Sequence, residues 1–226
     1  MSVSQPSPFL GFDTIYYPGD ALMAAWRQDS PYRFVGYYLK APCRRDGTYS
    51  GKRRTLQSMG WNCVPLYVGR QAQGPCSGGV LDASAGARHG LDAAAQAAAE
   101  GFPPGTSVYL DVEYVDSVGA PLRDYVSAWI DTVRKSPFAA AVYCHVSNAA
   151  ALRRIVTAAW PAGAPAPRFW VAGGRRRFDP DRSLPADSGV AFAALWQGLL
   201  NIKRTHAGRE LLIDVNVSTT ADPAAP

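Results

Sequence analysis

The sequence predicts an α/β fold of the TIM-like (β/α)8 barrel class, with helices missing or irregular after the sixth strand. Eight short β-like runs recur along the chain, at 9–14, 34–39, 62–68, 107–112, 140–145, 169–172, 193–197 and 211–217. Helical patterns separate the first six, which is the rhythm of βα units around a parallel sheet. With 226 residues, 47% of them hydrophobic, the chain can bury one substantial core and sits near the short end of the barrel class. A doubly wound open sheet is the competing architecture.

Helices are expected at 20–27, 52–59, 90–100, 122–135 and 148–159, one after each of the first five strands. Asp20 can cap the first, and Gly60 can end the second. Pro121 sits where a first-turn proline is tolerated, ahead of the amphipathic run Leu122, Tyr125, Val126, Trp129, Ile130 and Val133. Asn148 can cap the alanine-rich fifth helix. Residues 173–192 are rich in Gly, Pro, Asp and Arg and show no helical period, so the last two connections read as irregular. The chain reads as a single domain over 1–226, with a core at about 9–218. The Pro/Ala stretch 161–167 reads as a rim loop and 219–226 as a frayed tail.

No stretch approaches the roughly 20 apolar residues of a spanning helix, and the opening MSVSQPSPFLGFD has no basic segment followed by an apolar one. The formal charge of +5 favours anionic polymers without choosing among them. The run Arg175-Arg176-Arg177 reads as a solvated loop, and no aromatic-interleaved basic module supports nucleic-acid binding. Cys43, Cys63, Cys76 and Cys144 show no CxxC spacing, which argues against a zinc knuckle or a redox pair. Cys63 and Cys144 lie in apolar runs as small core residues. Cys43 and Cys76 lie in loops after strands, where a disulfide can form and would point to an oxidising compartment.

Barrel active sites are built at the C-terminal ends of strands, and four acids fall there: Asp13, Asp111, Glu113 and Asp214. Asp111 and Glu113 are two residues apart, so their side chains share a strand face with about 6.6–7 Å of backbone between them. If Leu110 and Val112 face the helices, both carboxylates face the barrel axis. Two such acids in a partly desolvated pit cannot both ionise easily, which leaves one protonated near neutral pH. Glycosidic cleavage uses such a pair. The first and eighth strands adjoin in a closed barrel, which brings Asp13 and Asp214 together opposite the fourth strand. An oxygen-rich cluster also suits magnesium, calcium or manganese, so a metal-dependent hydrolase is an alternative, although the histidines add little to it and no metal or other cofactor is expected. No Gly-x-Ser-x-Gly elbow is present.

Tyr38, Tyr67, Tyr114, Tyr143, Trp170 and Trp196 lie at or near strand ends, where an aromatic face can stack on a sugar. The competing reading is that half or more of them are core residues. His145 lies near a strand end, Asn216 shares the face of Asp214, and Gln197 follows Trp196; these three complete the candidate substrate contacts.

The segments GFDTIYY (11–17), VYLDVEY (108–114), AVYCHVSN (141–148), FWVAGG (169–174), ALWQG (194–198) and LLIDVN (211–216) occur in that order. Together they resemble the glycoside-hydrolase-like domain known as domain-of-unknown-function family 1906. That family is similar in turn to the family 25 glycoside hydrolases, the Chalaropsis-type lysozymes, and the resemblance spans residues 9–218. It implies a groove formed by Asp13, Asp111, Glu113 and Asp214, with Glu113 as general acid and Asp111 supporting the N-acetyl group or the sugar cation. The implied reaction is hydrolysis of the β-1,4 bond of peptidoglycan, at the cell envelope or outside the cell. A catalytically silent or differently specific barrel that binds wall glycan is the alternative.

Overall fold

The structure, a computed structural model, describes residues 7–226 apart from 114, 159, 162, 175 and 176. Among these, eight strands close a barrel in chain order: β1 (Phe9–Asp13), β2 (Phe34–Tyr38), β3 (Asn62–Tyr67), β4 (Ser107–Val112), β5 (Ala139–His145), β6 (Phe169–Ala172), β7 (Ala193–His206) and β8 (Arg209–Ser218). Helices α1 (Asp20–Asp29), α2 (Arg53–Ser58), α3 (Ala83–Ala99), α4 (Ala120–Arg134) and α5 (Val146–Ala158) follow the first five strands. Between β6 and β7 the described residues form only a short 3-10 turn, Pro185–Ser188. The closed sheet excludes the doubly wound alternative.

The eighth strand departs from the expected pattern. Strands β1 to β7 pair in parallel, but β8 runs antiparallel to both β7 and β1. The expected seventh strand stopped at 197, whereas β7 continues to His206 and turns back through Ala207 and Gly208, with φ of 49° and 69°. Two positive φ values make the tight hairpin turn that matches strand twist. A link this short can only reverse the chain, because a parallel return takes a dozen residues or more.

Side-chain parity divides the core in two. On β4, Tyr109 points into the barrel while Val108, Leu110 and Val112 pack outward under the helices. The interior is filled by Phe34, Val64, Leu66, Tyr109, Ala141 and Trp170, and the outer layer includes Trp26, Trp61 and Trp129. Helix α4 buries the expected stripe in full: Leu122, Tyr125, Val126, Trp129, Ile130 and Val133.

Three local expectations change. Asp20 does not cap α1; Gly19 is the cap residue, and Asp20 accepts from Tyr17 Oη and Lys52 Nζ instead. Asn148 is the third residue of α5, and its amide donates to Val115 O. Helix α3 begins at Ala83, not 90, with Asp82 accepting from Ala85 N at 2.7 Å. Its early turns hold Gly86, where a Cβ would lie 2.2 Å from Tyr125 O, so this glycine permits close packing of α3 on α4.

The tail is not frayed. Ala224 is fully buried in the barrel interior, and its carbonyl accepts from Ser107 N. Tyr109 Oη and Arg168 both donate to Pro223 O, and Arg168 also donates to Ala225 O. The segment therefore stoppers the floor of the barrel, opposite the rim that carries the acids.

Candidate active site

Three strands, β1, β4 and β8, deliver the four acids to one pit. It has a volume of about 440 Å3, and its lining includes Asp13, Asp111, Glu113 and Asp214 together with Tyr38 and Tyr143. Asp13 ends β1 and is paired in register with Asp214 on β8. Asp214 reaches the rim from the middle of an antiparallel strand, not from a strand end, because the β7–β8 hairpin extends above the barrel. Asp111 lies on the inward parity of β4, and Glu113 follows directly after that strand. Glu113 is exposed at the mouth of the pit, with its carboxylate 3.3 Å from Tyr143 Oη.

The acids are wired together by neutral donors. Tyr38 Oη donates to Asp13 Oδ1 at 2.8 Å, while Gln197 Nε2 and Asn216 Nδ2 both donate to Asp13 Oδ2 at 2.8 Å. Gln197 Nε2 also donates to Asp214 Oδ2 at 3.2 Å, and Asn201 N donates to Asp214 Oδ1 at 2.5 Å. Because its Nε2 faces two carboxylates, the amide of Gln197 can point only one way, and its Oε1 accepts from Tyr143 Oη at 2.7 Å. The Tyr143 hydroxyl also faces Glu113 Oε1, at the longer distance of 3.3 Å, so its one proton is shared between the two acceptors.

Desolvation shifts all four acids upward, and repulsion among them adds to the shift. Desolvation of its carboxyl group raises Glu113 above the usual range, the Tyr143 hydroxyl opposes that shift, and Asp214 adds to it. Asp111 is raised well above it, first by burial, then by Glu113 and Asp13. Burial and then Asp214 push Asp13 up to about 7 against its three donors, and burial also raises Asp214. Groups coupled this closely lose protons as a set, so the cluster retains protons near neutral pH.

The candidate sugar-contacting residues divide. Tyr38, Tyr143, Gln197 and Asn216 join the acid network. Trp170 is fully buried in the interior below it, where its Nε1 donates to Asn216 Oδ1 and so orients that amide. Tyr67 and Trp196 have outward parity: Tyr67 donates to Asp92, and Trp196 donates to Gly173 O while packing against Phe178. Neither lines the pit. His145 is exposed and contacts Ser147, also outside the lining. Tyr114 lies outside the described residues.

Two features escaped the sequence reading. Gln71, in the loop after β3, donates from Nε2 to Asp111 O at 3.0 Å, approaches Asp111 Oδ1 at 3.5 Å, and accepts from Glu113 N at 3.0 Å. Ile15, Tyr16 and Leu212, exposed by 49%, 59% and 53%, form apolar walls at the mouth. A Gln in an aperiodic loop carries no local signal, but exposed aliphatics beside predicted rim acids could have been noticed.

The loops around the pit are cross-linked. Cys43 and Cys76 form a disulfide with Cα atoms 5.9 Å apart, and Gln71 N donates to Cys76 O. Cys63 and Cys144 are buried free thiols, pushed by burial up to about 12 and therefore unreactive. In the basic run, Arg177 is exposed, and Arg175 and Arg176 lie outside the described residues. No helix among the described residues is long and apolar enough to cross a membrane, and no group of three or more His, Cys, Asp or Glu among them is arranged to hold a metal ion.

Known proteins share the fold of this chain. The chain is similar in structure to an uncharacterized B. stearothermophilus protein, with a TM-score of 0.68 and 18% identity over 93% of this chain and 95% of that one. The Mycobacterium tuberculosis Tat-secreted protein Rv2525c matches with a TM-score of 0.59 and 17% identity over 94% and 95%. The Clostridium perfringens spore cortex lytic enzyme SleM matches with a TM-score of 0.65 and 13% identity over 100% of this chain and 72% of that one. No curated protein matches in sequence. A family model described as Rv2525c-like, glycoside hydrolase-like domain matches residues 24–218, which is most of the barrel, and the chain belongs to that family.

Proposed function

We propose that this protein is a muramidase that cleaves the β-1,4 bond between N-acetylmuramic acid and N-acetylglucosamine in peptidoglycan, with Glu113 as general acid. The convergence of four acids on one pit carries this reading, because desolvation and the Asp214 charge favour a proton on Glu113 at its mouth, where a leaving oxygen can reach it. As the C1–O bond breaks, Glu113 gives its proton to the departing oxygen. Water then adds hydroxide to C1 and returns a proton to Glu113. Asp111, buried beside it, supports the developing positive charge or the substrate's N-acetyl group. Asp13 and Asp214, bridged by Gln197, tune the field and position the substrate from the opposite wall.

The fold shared with a spore cortex lytic enzyme supports the same substrate class. Action at the envelope or outside the cell is supported by the Cys43–Cys76 disulfide and by the similarity to a Tat-secreted protein.

The test is digestion of purified sacculi, with released fragments read by mass spectrometry. Wild type should release muropeptides with new reducing ends. Glu113→Gln should lower the rate by about 100-fold to 10,000-fold, the range of general acid catalysis, while leaving thermal unfolding unchanged. Sacculus binding without release, equal in both proteins, would refute catalysis and leave a glycan-binding barrel.

A further inference from the structure

Beside the pit lies a second depression, a groove of about 570 Å3 between the loop after β2, the loop after β3, and α3. Lys40, Arg45 and Arg70 line it, together with His89, Asp92 and Gln96. None of the three cations forms an ion pair among the described residues. The one carboxylate in the lining is already engaged, since Asp92 accepts from Tyr67 Oη at 2.7 Å and from Gln96 at 3.2 Å.

Arg44 shows what an engaged cation looks like in the same loop. It pairs with Asp46 at 3.0 Å, donates to Ile15 O, and lies over the rings of Tyr16 and Tyr38 at the pit wall. Arg45, the next residue, is exposed and lines the groove instead. The scaffold is rigid where it matters: the Cys43–Cys76 disulfide joins the two loops, and Ala41 N and Cys43 N are held by Arg44 O and Val68 O. Three like charges converging on one concave surface repel one another, and a bound anion relieves that repulsion.

Two chain connections tie the groove to the pit. Lys40 follows Tyr38 by two residues, and Arg70 precedes Gln71, which holds Asp111 and Glu113. A glycan strand lying across the pit would carry its substituents over the neighbouring rim. We infer that this groove is a subsite for the carboxylates of the peptide stem borne by the glycan, with Lys40, Arg45 and Arg70 as its anion contacts. The inference rests on the glycan reading of the pit.

Titration calorimetry tests it with two soluble probes: a glycan fragment bearing its acidic peptide stem, and the same fragment with the peptide removed. Wild type should bind the stem-bearing fragment about tenfold more tightly, or 1.4 kcal/mol, with the difference shrinking as salt rises. Lys40→Glu with Arg45→Glu, both on exposed side chains, should erase that preference and leave affinity for the peptide-free fragment unchanged; Arg70→Ala should weaken it. Equal affinity of wild type for the two fragments, or an undiminished preference in the charge-reversed protein, overturns the inference. So does charge-dependent binding of a soluble phosphodiester wall polymer without stem preference. If stem preference holds while sacculi are never cleaved, the muramidase reading falls and the subsite stands. If sacculi are cleaved with no stem preference, the reverse follows.

Discussion

The side-chain carbonyl of Gln71 accepts the backbone N–H of Glu113 at 3.0 Å, so a residue from the loop after β3 fixes where the proposed general acid leaves β4. The same amide donates to Asp111 O, and one side chain thus holds the backbone of both acids. Gln71 is 3% exposed, so its burial limits the competition of solvent with this clamp.

Gln71→Ala is therefore expected to act on turnover more than on binding. Loss of the clamp should lower kcat on sacculi or glycan fragments by about tenfold to a hundredfold, equivalent to roughly 1.4–2.8 kcal/mol, with KM changed little. The alkaline limb of the pH–rate profile, where Glu113 loses its proton, should also move, because its carboxyl would no longer be held against Tyr143. A variant with full kcat and an unmoved profile would remove Gln71 from any positioning role.

Asp13 should make the protein less stable as pH rises. Burial, then Asp214, push its carboxyl up to about 7 from an ordinary value of 3.8, so between these values the native state keeps a proton that the unfolded chain releases. The unfolding free energy should fall across that window by an amount on the order of a few kcal/mol. Asp111 and Asp214 are raised too and contribute with the same sign. Asp13→Asn cannot ionise and should flatten the curve in part. Urea unfolding at pH 5 and pH 8 measures this; wild type equally stable at both values would contradict it.

Reduction of the Cys43–Cys76 bond should destabilise the rim. The cysteines are 33 residues apart in sequence, and releasing a loop of that size costs about 3–4 kcal/mol on the chain-entropy account. A Cys43→Ser protein should unfold several degrees lower than wild type. Its activity should fall as well, because Gln71 N is held by Cys76 O. Identical melting with and without reductant would show that the bond carries no stability.

Much of the acid cluster was legible in local pattern. Strand parity alone put Asp111 and Glu113 on one face, with Leu110 and Val112 turned to the helices, and the structure keeps that division. The same parity, applied to β3 and β7, assigns Tyr67 and Trp196 to the outer layer; proximity to a strand end was the weaker guide. The α3 boundary was missed because glycines needed for close helix packing look like loop residues in a sequence. The tail looked frayed because its anchors, Tyr109 and Arg168, lie more than 50 residues away in the chain.

The amino-acid sequence alone determined the number of strands, which side chains of β4 face inward, and which rim positions hold carboxylates. These are local properties, set by hydrophobic period and chain direction over a few residues. Tertiary structure alone decided that β8 runs antiparallel, that Asp214 meets Asp13 from mid-strand, and that Gln71, Gln197 and Tyr143 join the acids into one network. Apart from the local β7–β8 turn, those facts depend on contacts between residues from tens to about two hundred positions apart, and such contacts exist only once the barrel has closed.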